Sequence, residues 1–374
     1  MKILFVLENY LPHIGGVEIV FKNLSEGLVK LGHDVSIVTH RMKDSSKYEE
    51  INGVKVYRVN CFRSRYWFTF LSIFKVFKMG KKADVIHTTI FNGAPPAWFV
   101  SKLLRKPCLL TVHEVWIKNW RKLTEMSWLS SKIHSVLERF IYFLKFDKYV
   151  CVSKSTQKQL LDIGKDSSKV EVVYNGVDYD HWDPKKYNGE VVRKNLSLNG
   201  FIYLFSGRPG VSKGLEYLIK AVPLISKKIP NAKLLAVVSK DEAYSKKYKF
   251  ILKLIDELGI KDNIILHDPV SYKELPNYIK ASDCVVVPSL AEGFGFAAAE
   301  ACSMGKAVVA SNTTSLPEVV SGKYVLVKPR SSEGIASGVE MVFNDKVLKS
   351  SLKKFLLKDN IDGYLKIYKD LIKN

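Results

Sequence analysis

Glu292 and Glu300 flank a glycine turn in Pro288-Ser-Leu-Ala-Glu-Gly-Phe-Gly-Phe-Ala-Ala-Ala-Glu300. Cys284–Val287 ahead of it is an apolar run of strand length, and Ala297–Ala299 behind it is a helix former. The stretch therefore reads as a buried strand, a turn and a helix start. Backbone N–H groups at such a turn are ready donors to an anion or to hydroxyl oxygens, and Gly293 and Gly295 let a ligand approach the main chain closely. The two carboxylates then reach different parts of one ligand. The same spacing also suits an ordinary β-α connection with two solvated glutamates.

A second constellation is Gly207-Arg208-Pro-Gly-Val-Ser-Lys213-Gly214, directly after the apolar run Phe201–Phe205. Arg208 offers planar, bidentate hydrogen bonds and Lys213 a point charge, a pair suited to clamping a diphosphate. The pattern G-x-x-x-x-G-K-[ST] is absent, which disfavours ATP hydrolysis. Gly15-Gly16-Val17-Glu18 is a turn into a helix but lacks the G-x-G-x-x-G dinucleotide fingerprint. His113 follows the strand Leu109–Val112, where side chains reach toward a ligand, although a lone histidine is more often structural.

These residues need elements to hold them, and the sequence supplies an alternation of strands and helices. Apolar runs at Ile3–Leu7, Val35–Thr39, Val54–Val59, Asp84–His87, Cys108–Val112, Tyr149–Ser153 and Val170–Tyr174 predict strands, with a helix over Val17–Leu31 ended by Gly32. The pattern breaks at His181–Gly200, which is polar, contains Pro184 and Gly189, and reads as a linker. It resumes with strands near 201–205, 234–238, 264–267, 284–287, 307–310 and 324–327, followed by a basic helical stretch over Val347–Leu371. The expectation is an α/β chain of two doubly wound parallel sheets. A length of 374 residues also favours two domains. The domains are expected at 1–180 and 181–355, with 356–374 a helix crossing back to the first.

The formal charge is +21, which points to an anionic partner. The basic residues gather beside aromatics in two helical stretches, 63–82, which has no acidic residue, and 116–148. Such segments suit an anionic lipid interface, or a core helix with a basic edge. Nucleic acid is not expected, because no RNP, zinc-finger or helix-turn-helix signature accompanies the charge. Five scattered cysteines without a Cys-x-x-Cys pair read as buried thiols of a reducing compartment. The N-terminal apolar run is short for a signal peptide, and no apolar run approaches the ~18–20 residues of a membrane helix. A cytoplasmic chain, peripheral at most on the inner membrane face, is expected.

Taken in order, Gly15-Gly16-Val17-Glu18, His113, Asn175-Gly-Val-Asp178, Arg208 with Lys213-Gly214, Pro288-Ser289 with Glu292–Gly295 and Glu300, and Leu316-Pro-Glu-Val319 resemble glycosyltransferase family 4. The resemblance runs from the first strand to about residue 320. It implies the GT-B fold, two Rossmann-like domains facing each other across a cleft, and retaining transfer from a nucleotide-diphosphate-sugar donor to a saccharide or lipid-linked acceptor. It implies no cofactor and no metal. Arg208 and Lys213 would neutralise the diphosphate, and Glu300 would bind the ribose hydroxyls. Glu292 and the backbone of Gly293, Phe294, Gly295 and Phe296 would hold the sugar, and His113 would contact its far hydroxyl or the reacting centre. Gly15 and Gly16 would close over the donor, and Val270 would approach the base. Asp178-Tyr-Asp180 spells the Asp-x-Asp metal motif of a different glycosyltransferase fold, but its place after Asn175-Gly176 reads as structural. One departure stands out: the family's Gly-Gly before Pro-Glu is replaced by Thr313-Thr314-Ser315-Leu316, whose side chains narrow the loop or add hydroxyl bonds. Nucleotide-sugar 2-epimerases share the two-domain architecture and are the isomerase alternative.

Overall fold

Strands buried on both faces of a parallel sheet are selected for continuous apolar runs, and the central strands obey this. Ile3, Leu4, Phe5 and Val6 are fully buried, as are Cys108, Leu109 and Leu110. The computed structural model describes residues 1–43, 45–62 and 64–373. The chain divides into two units. One comprises Met1–Trp120, Ser127–Gly176 and the segment from Phe355 onward, and the other comprises Arg121–Met126 and Val177–Lys354. The division falls at Gly176/Val177, a few residues before the boundary expected from sequence.

The first unit holds an eight-stranded sheet. Its strands are β1 (Lys2–Val6), β2 (Asp34–His40), β3 (Tyr48–Ile51), β4 (Val54–Val59), β5 (Val85–Thr89), β6 (Cys108–Val112), β7 (Lys148–Cys151) and β8 (Val170–Val172). The order is β3-β4-β2-β1-β5-β6-β7-β8, parallel except for β3, which runs antiparallel to β4. Tyr48–Ile51 was not expected as a strand; its polar Glu49 and Glu50 suit an edge position and hide it from a search for apolar runs.

One face of this sheet is covered by the helix Gly16–Lys30 and by the last helix, Leu357–Lys373. The last helix is amphipathic and buries Tyr364, Leu365, Ile367 and Tyr368. It is tied to the sheet by a buried polar chain. The Tyr368 hydroxyl lies 2.6 Å from His87 Nδ1, His87 Nε2 lies 2.7 Å from Thr111 Oγ1, and Thr111 Oγ1 lies 2.9 Å from the Tyr364 hydroxyl. Burial, with His113 nearby, drives the His87 pKa well below the usual imidazole range, so this chain is made of neutral groups.

The second unit holds a seven-stranded sheet of β9 (Ile202–Gly207), β10 (Lys233–Val238), β11 (Ile264–His267), β12 (Cys284–Val287), β13 (Ala307–Ser311), β14 (Lys323–Val327) and β15 (Leu348–Lys349). The order is β11-β10-β9-β12-β13-β14-β15, parallel except for β15. β9 and β12 are neighbours at the centre.

Three expectations are corrected. His181–Gly200 is not a loose linker: it folds onto the second unit, with Trp182 buried and its indole N–H donating to the Tyr272 hydroxyl at 3.0 Å, and with a short helix Gly189–Asn195. The aromatic, basic segment 63–82 is not one helix. It begins as a 3-10 turn, Arg65–Trp67, and continues as Phe68–Leu71 and Ile73–Gly80; Arg63 lies outside the described residues. Val347–Leu371 contains β15 and an irregular run before the helix begins at Leu357. All five cysteines are free and buried. Among the described residues no helix is long and apolar enough to cross a membrane.

Candidate functional site

The chemistry-bearing side chains of the second unit sit where β9 and β12 end. After β9 the chain makes a 3-10 turn, Val211–Lys213, and leaves it through Gly214 in the left-handed region (φ +66°). A Cβ on Gly214 would collide with the carbonyl oxygen of Pro288, so only glycine lets the basic loop lie against the end of β12. The contact is sealed by the Leu290 N–H, which donates to the Ser212 carbonyl at 2.7 Å.

That approach brings Lys213 to Glu292. Lys213 Nζ donates to Glu292 Oε1 at 2.7 Å, and the Ser289 hydroxyl donates to the same oxygen at 2.7 Å. Gly295, also left-handed (φ +97°), caps the helix Phe296–Ser303, and a Cβ there would come within 2.9 Å of Leu316. One turn into that helix stands Glu300. Lys213, Glu292, Glu300, Ser206 and Ser289 together line a cavity of about 130 Å³ floored by apolar residues of β9 and β12. Burial pushes the Glu300 carboxyl up to about 8, with Lys213 pulling more weakly the other way. Glu300 is therefore mostly protonated at neutral pH, able to donate as well as accept.

The loop that replaces the family's Gly-Gly turns out to brace this site. Thr314 adopts a positive φ (+45°) without being glycine, and its hydroxyl accepts the Glu292 N–H at 2.9 Å. The Ser315 hydroxyl lies 2.9 Å from the carbonyl oxygens of both Glu292 and Phe294. Sequence reading marked the departure and its hydroxyls without naming these partners. Ser206 and Ser289 carried little signal beyond lying at strand ends.

The remaining sequence candidates are not among the residues that line this cavity. Arg208 is exposed, with its guanidinium carbon 5.7 Å from the centre of the Tyr244 ring. Val270 is half-buried in the loop after β11. Phe294 is buried and packs edge-on against Phe296, with ring centres 5.1 Å apart. Asp178 Oδ1 accepts from the backbone N–H groups of Asp180 and His181, both at 3.1 Å, a local turn bond. Among the described residues no group of three His, Cys, Asp or Glu side chains is placed to hold a metal ion.

Gly15, Gly16 and His113 belong to the first unit. Gly15 caps the helix Gly16–Lys30, and the Glu18 carboxylate folds back toward it and pairs with His13 Nδ1 at 3.1 Å. His113 directly follows β6, and its ring packs edge-on to Phe21. The residue keeps partial exposure, yet its Nε2 is enclosed without a partner, and burial lowers its pKa to about 4. It is a neutral imidazole throughout the physiological range.

The comparisons with known proteins agree on one class. Residues 14–181 match the model described as Glycosyltransferase Family 4, and residues 190–357 match Glycosyl transferases group 1. An uncharacterized glycosyltransferase of Methanocaldococcus jannaschii is 31% identical over 97% of this chain and 94% of its own length. A Rickettsia africae glycosyltransferase superposes with a TM-score of 0.78 at 20% identity, covering 100% of this chain and 99% of that one. An Anabaena protein crystallised with UDP and glucose superposes with a TM-score of 0.75 at 18% identity, covering 99% and 100%. The chain belongs to glycosyltransferase family 4 and has the GT-B fold. It is a transferase, and the isomerase alternative falls away.

Proposed function

We propose that this glycosyltransferase moves a hexosyl group, with retention of configuration, from a nucleoside diphosphate sugar to a lipid-linked or saccharide acceptor in glycan assembly. The observation that carries the reading is the convergence of Lys213, Glu292 and Glu300 on one cavity at the carboxyl ends of neighbouring parallel strands, the place where open α/β sheets bind ligands. The Anabaena relative's UDP and glucose support a donor of this type.

Breaking a sugar–phosphate bond puts positive charge on the ring and negative charge on the leaving diphosphate. A cation held in place beforehand lowers that barrier more than it tightens ground-state binding. Lys213, prepositioned by Glu292, is that cation, and Arg208 joins it from the exposed loop when the diphosphate arrives. Glu292 and the backbone from Gly293 to Phe296 hold the sugar, and Glu300 holds the ribose. Val270 borders the base, Gly15 and Gly16 the donor, and neutral His113 accepts or donates at the sugar without carrying charge. The chemistry runs without metal or other cofactor. Retention follows from attack on the face of the sugar that the phosphate leaves, so the leaving phosphate takes the acceptor's proton. The basic, aromatic segments of 64–82 and 116–148 hold the enzyme against an anionic inner membrane face.

Screening nucleotide sugars by thermal shift identifies the donor, because a ligand that binds only the folded chain stabilises it by an amount that grows with the logarithm of its affinity. With that donor, Arg208→Ala, Lys213→Ala and Glu292→Ala are each expected to lower transfer by about 100- to 1,000-fold while the fold persists. Near-normal transfer by all three would sink the assignment.

A further inference from the structure

The first unit carries a second cavity, of about 550 Å³, lined by none of the residues assigned to the donor. That volume is within the usual range of small-molecule sites. Part of its polar lining comes from the carboxyl edge of the sheet, where Glu8 follows β1 and Asn92 follows β5, and Trp120 opens a short helix, Trp120–Leu123, after β6. Glu8 is buried, with Oε2 accepting from Asn92 Nδ2 at 2.7 Å and Oε1 lying 3.3 Å from the Arg65 guanidinium. Glu138, from the helix Trp128–Phe143, accepts the Trp116 N–H at 2.8 Å and the Trp120 indole N–H at 2.7 Å. Burial raises its carboxyl to about 7, a sign of how dry this lining is. His134 Nδ1–H donates to the Ser130 carbonyl at 2.8 Å, which leaves Nε2 as an enclosed acceptor without a partner.

The rest of the lining is apolar and opens to solvent. Phe70 (64% exposed), Phe99 (49%), Leu137 (50%) and Phe140 (52%) all face this one cavity, and contiguous exposure on that scale marks a binding surface. Phe74 and Phe143, each 78% exposed, extend the apolar character along the same two helical segments. The lining's two carboxylates, Glu8 and Glu138, are buried and hydrogen-bonded, and the exposed charge of the two flanking segments is cationic. Residues 64–82 contain no acidic side chain, and the sole acidic residue of the helix Trp128–Phe143 is the buried Glu138, whereas Arg65, Lys132 and Arg139 are exposed. An apolar slot with a cationic rim fits a hydrocarbon chain that bears an anion, and its polar end places the head group at the edge of the sheet where a reacting group is reached.

We infer that this cavity seats the hydrocarbon chain of an anionic lipid-linked acceptor, with the anion beside Arg65. The inference rests on the transferase reading and narrows its acceptor to the lipid-linked class. A bulk membrane lipid uses the exposed aromatics of the rim, whereas an acceptor chain enters the cavity.

The test is calorimetric binding of monomeric n-alkyl phosphates of six to twelve carbons to the full chain, with no donor present. Affinity is expected to rise about fourfold per added methylene until the chain outgrows the cavity. Ile73→Trp and Leu137→Trp, which put an indole into the cavity, are expected to abolish that rise, whereas Phe74→Ser, outside the lining, keeps it. Melting temperature and far-UV dichroism verify that each variant is folded. The corresponding n-alkyl alcohols are expected to bind at least tenfold more weakly. Equal affinity at every chain length, or an undiminished rise in both filled variants, overturns the site. Alcohols binding as tightly as phosphates overturn the anionic assignment. Flotation on phosphatidylglycerol vesicles without any alkyl phosphate binding overturns the cavity in favour of a plain membrane dock. Because binding is read without transfer, inactivity of the Lys213→Ala enzyme leaves this result standing, and a failed cavity leaves the donor assignment standing.

Discussion

Glu300→Gln tests the donor cavity through its electrostatics. In the folded chain the Glu300 carboxyl is raised from its ordinary 4.5 to about 8, chiefly by burial, while Lys213 pulls it down less strongly. The folded state thus binds this proton more tightly than the unfolded chain does. Between pH 4.5 and 8 the folded state holds more protons, so stability falls as pH rises through that window and levels off above it. At pH 7 the displacement is about 2.5 pH units beyond the unfolded value, and at 1.36 kcal/mol per unit the penalty is roughly 3 kcal/mol. Glutamine keeps the size and polarity of the side chain and removes the charge. The variant should match wild type near pH 5 and gain on it steadily toward pH 8. At about 2–4 °C per kcal/mol for a domain of this size, the gap in melting temperature at pH 7 is roughly 6–12 °C. Calorimetric melts of both proteins in half-unit steps from pH 5 to 8.5 measure it. A difference that is flat across the range refutes the reasoning, because a carboxyl that titrates normally carries no such penalty. The same shift predicts that nucleotide binding at pH 7 releases close to one proton, since ribose hydroxyls donating to the carboxylate favour its ionised form. Calorimetry in buffers of different ionisation enthalpy reads that number directly.

Two further outcomes follow from the cited geometry. Thr314→Gly relieves a left-handed backbone but deletes the oxygen that accepts the Glu292 N–H, so the two effects of about 1 kcal/mol each oppose; Thr314→Val keeps the strain, loses the bond and should be less stable than the glycine variant by about 1–2 kcal/mol in urea unfolding. His113 has its pKa lowered to about 4 by burial, against the opposing pull of Glu18, so between pH 4 and 6.5 the unfolded chain holds the extra proton and stability falls as pH drops. His113→Gln should flatten that acid limb in thermal melts from pH 7 to 4.5, and an unchanged limb would show that the imidazole titrates normally.

Much of this molecule is legible from local pattern. The central strands are runs of apolar residues because both faces of a parallel sheet are dry, and the turns that matter are spelled by Gly214 and Gly295, where the backbone enters the left-handed region. The ordered motifs from Gly15 to Val319 were enough to indicate the family that the comparisons then established. Where local pattern misled, a competing local signal was at work. The polar edge strand Tyr48–Ile51 lacks an apolar run, and polar composition between His181 and Gly200 hid the anchor at Trp182.

Other features depend on groups far apart in the chain, and only the tertiary structure decides them. Lys213 and Glu292 are 79 residues apart, and the pair exists because Gly214 admits the carbonyl of Pro288. The replacement of Gly-Gly by Thr313-Thr314 became intelligible only when the Thr314 hydroxyl met the Glu292 N–H. The proton on Glu300, the neutrality of His113 and the cavity behind Phe70 and Leu137 likewise arise from packing. The physical reason is range. Hydrophobic period and turn chemistry act over a few residues and are written in the sequence, whereas desolvation and charge pairing depend on which distant side chains exclude the water.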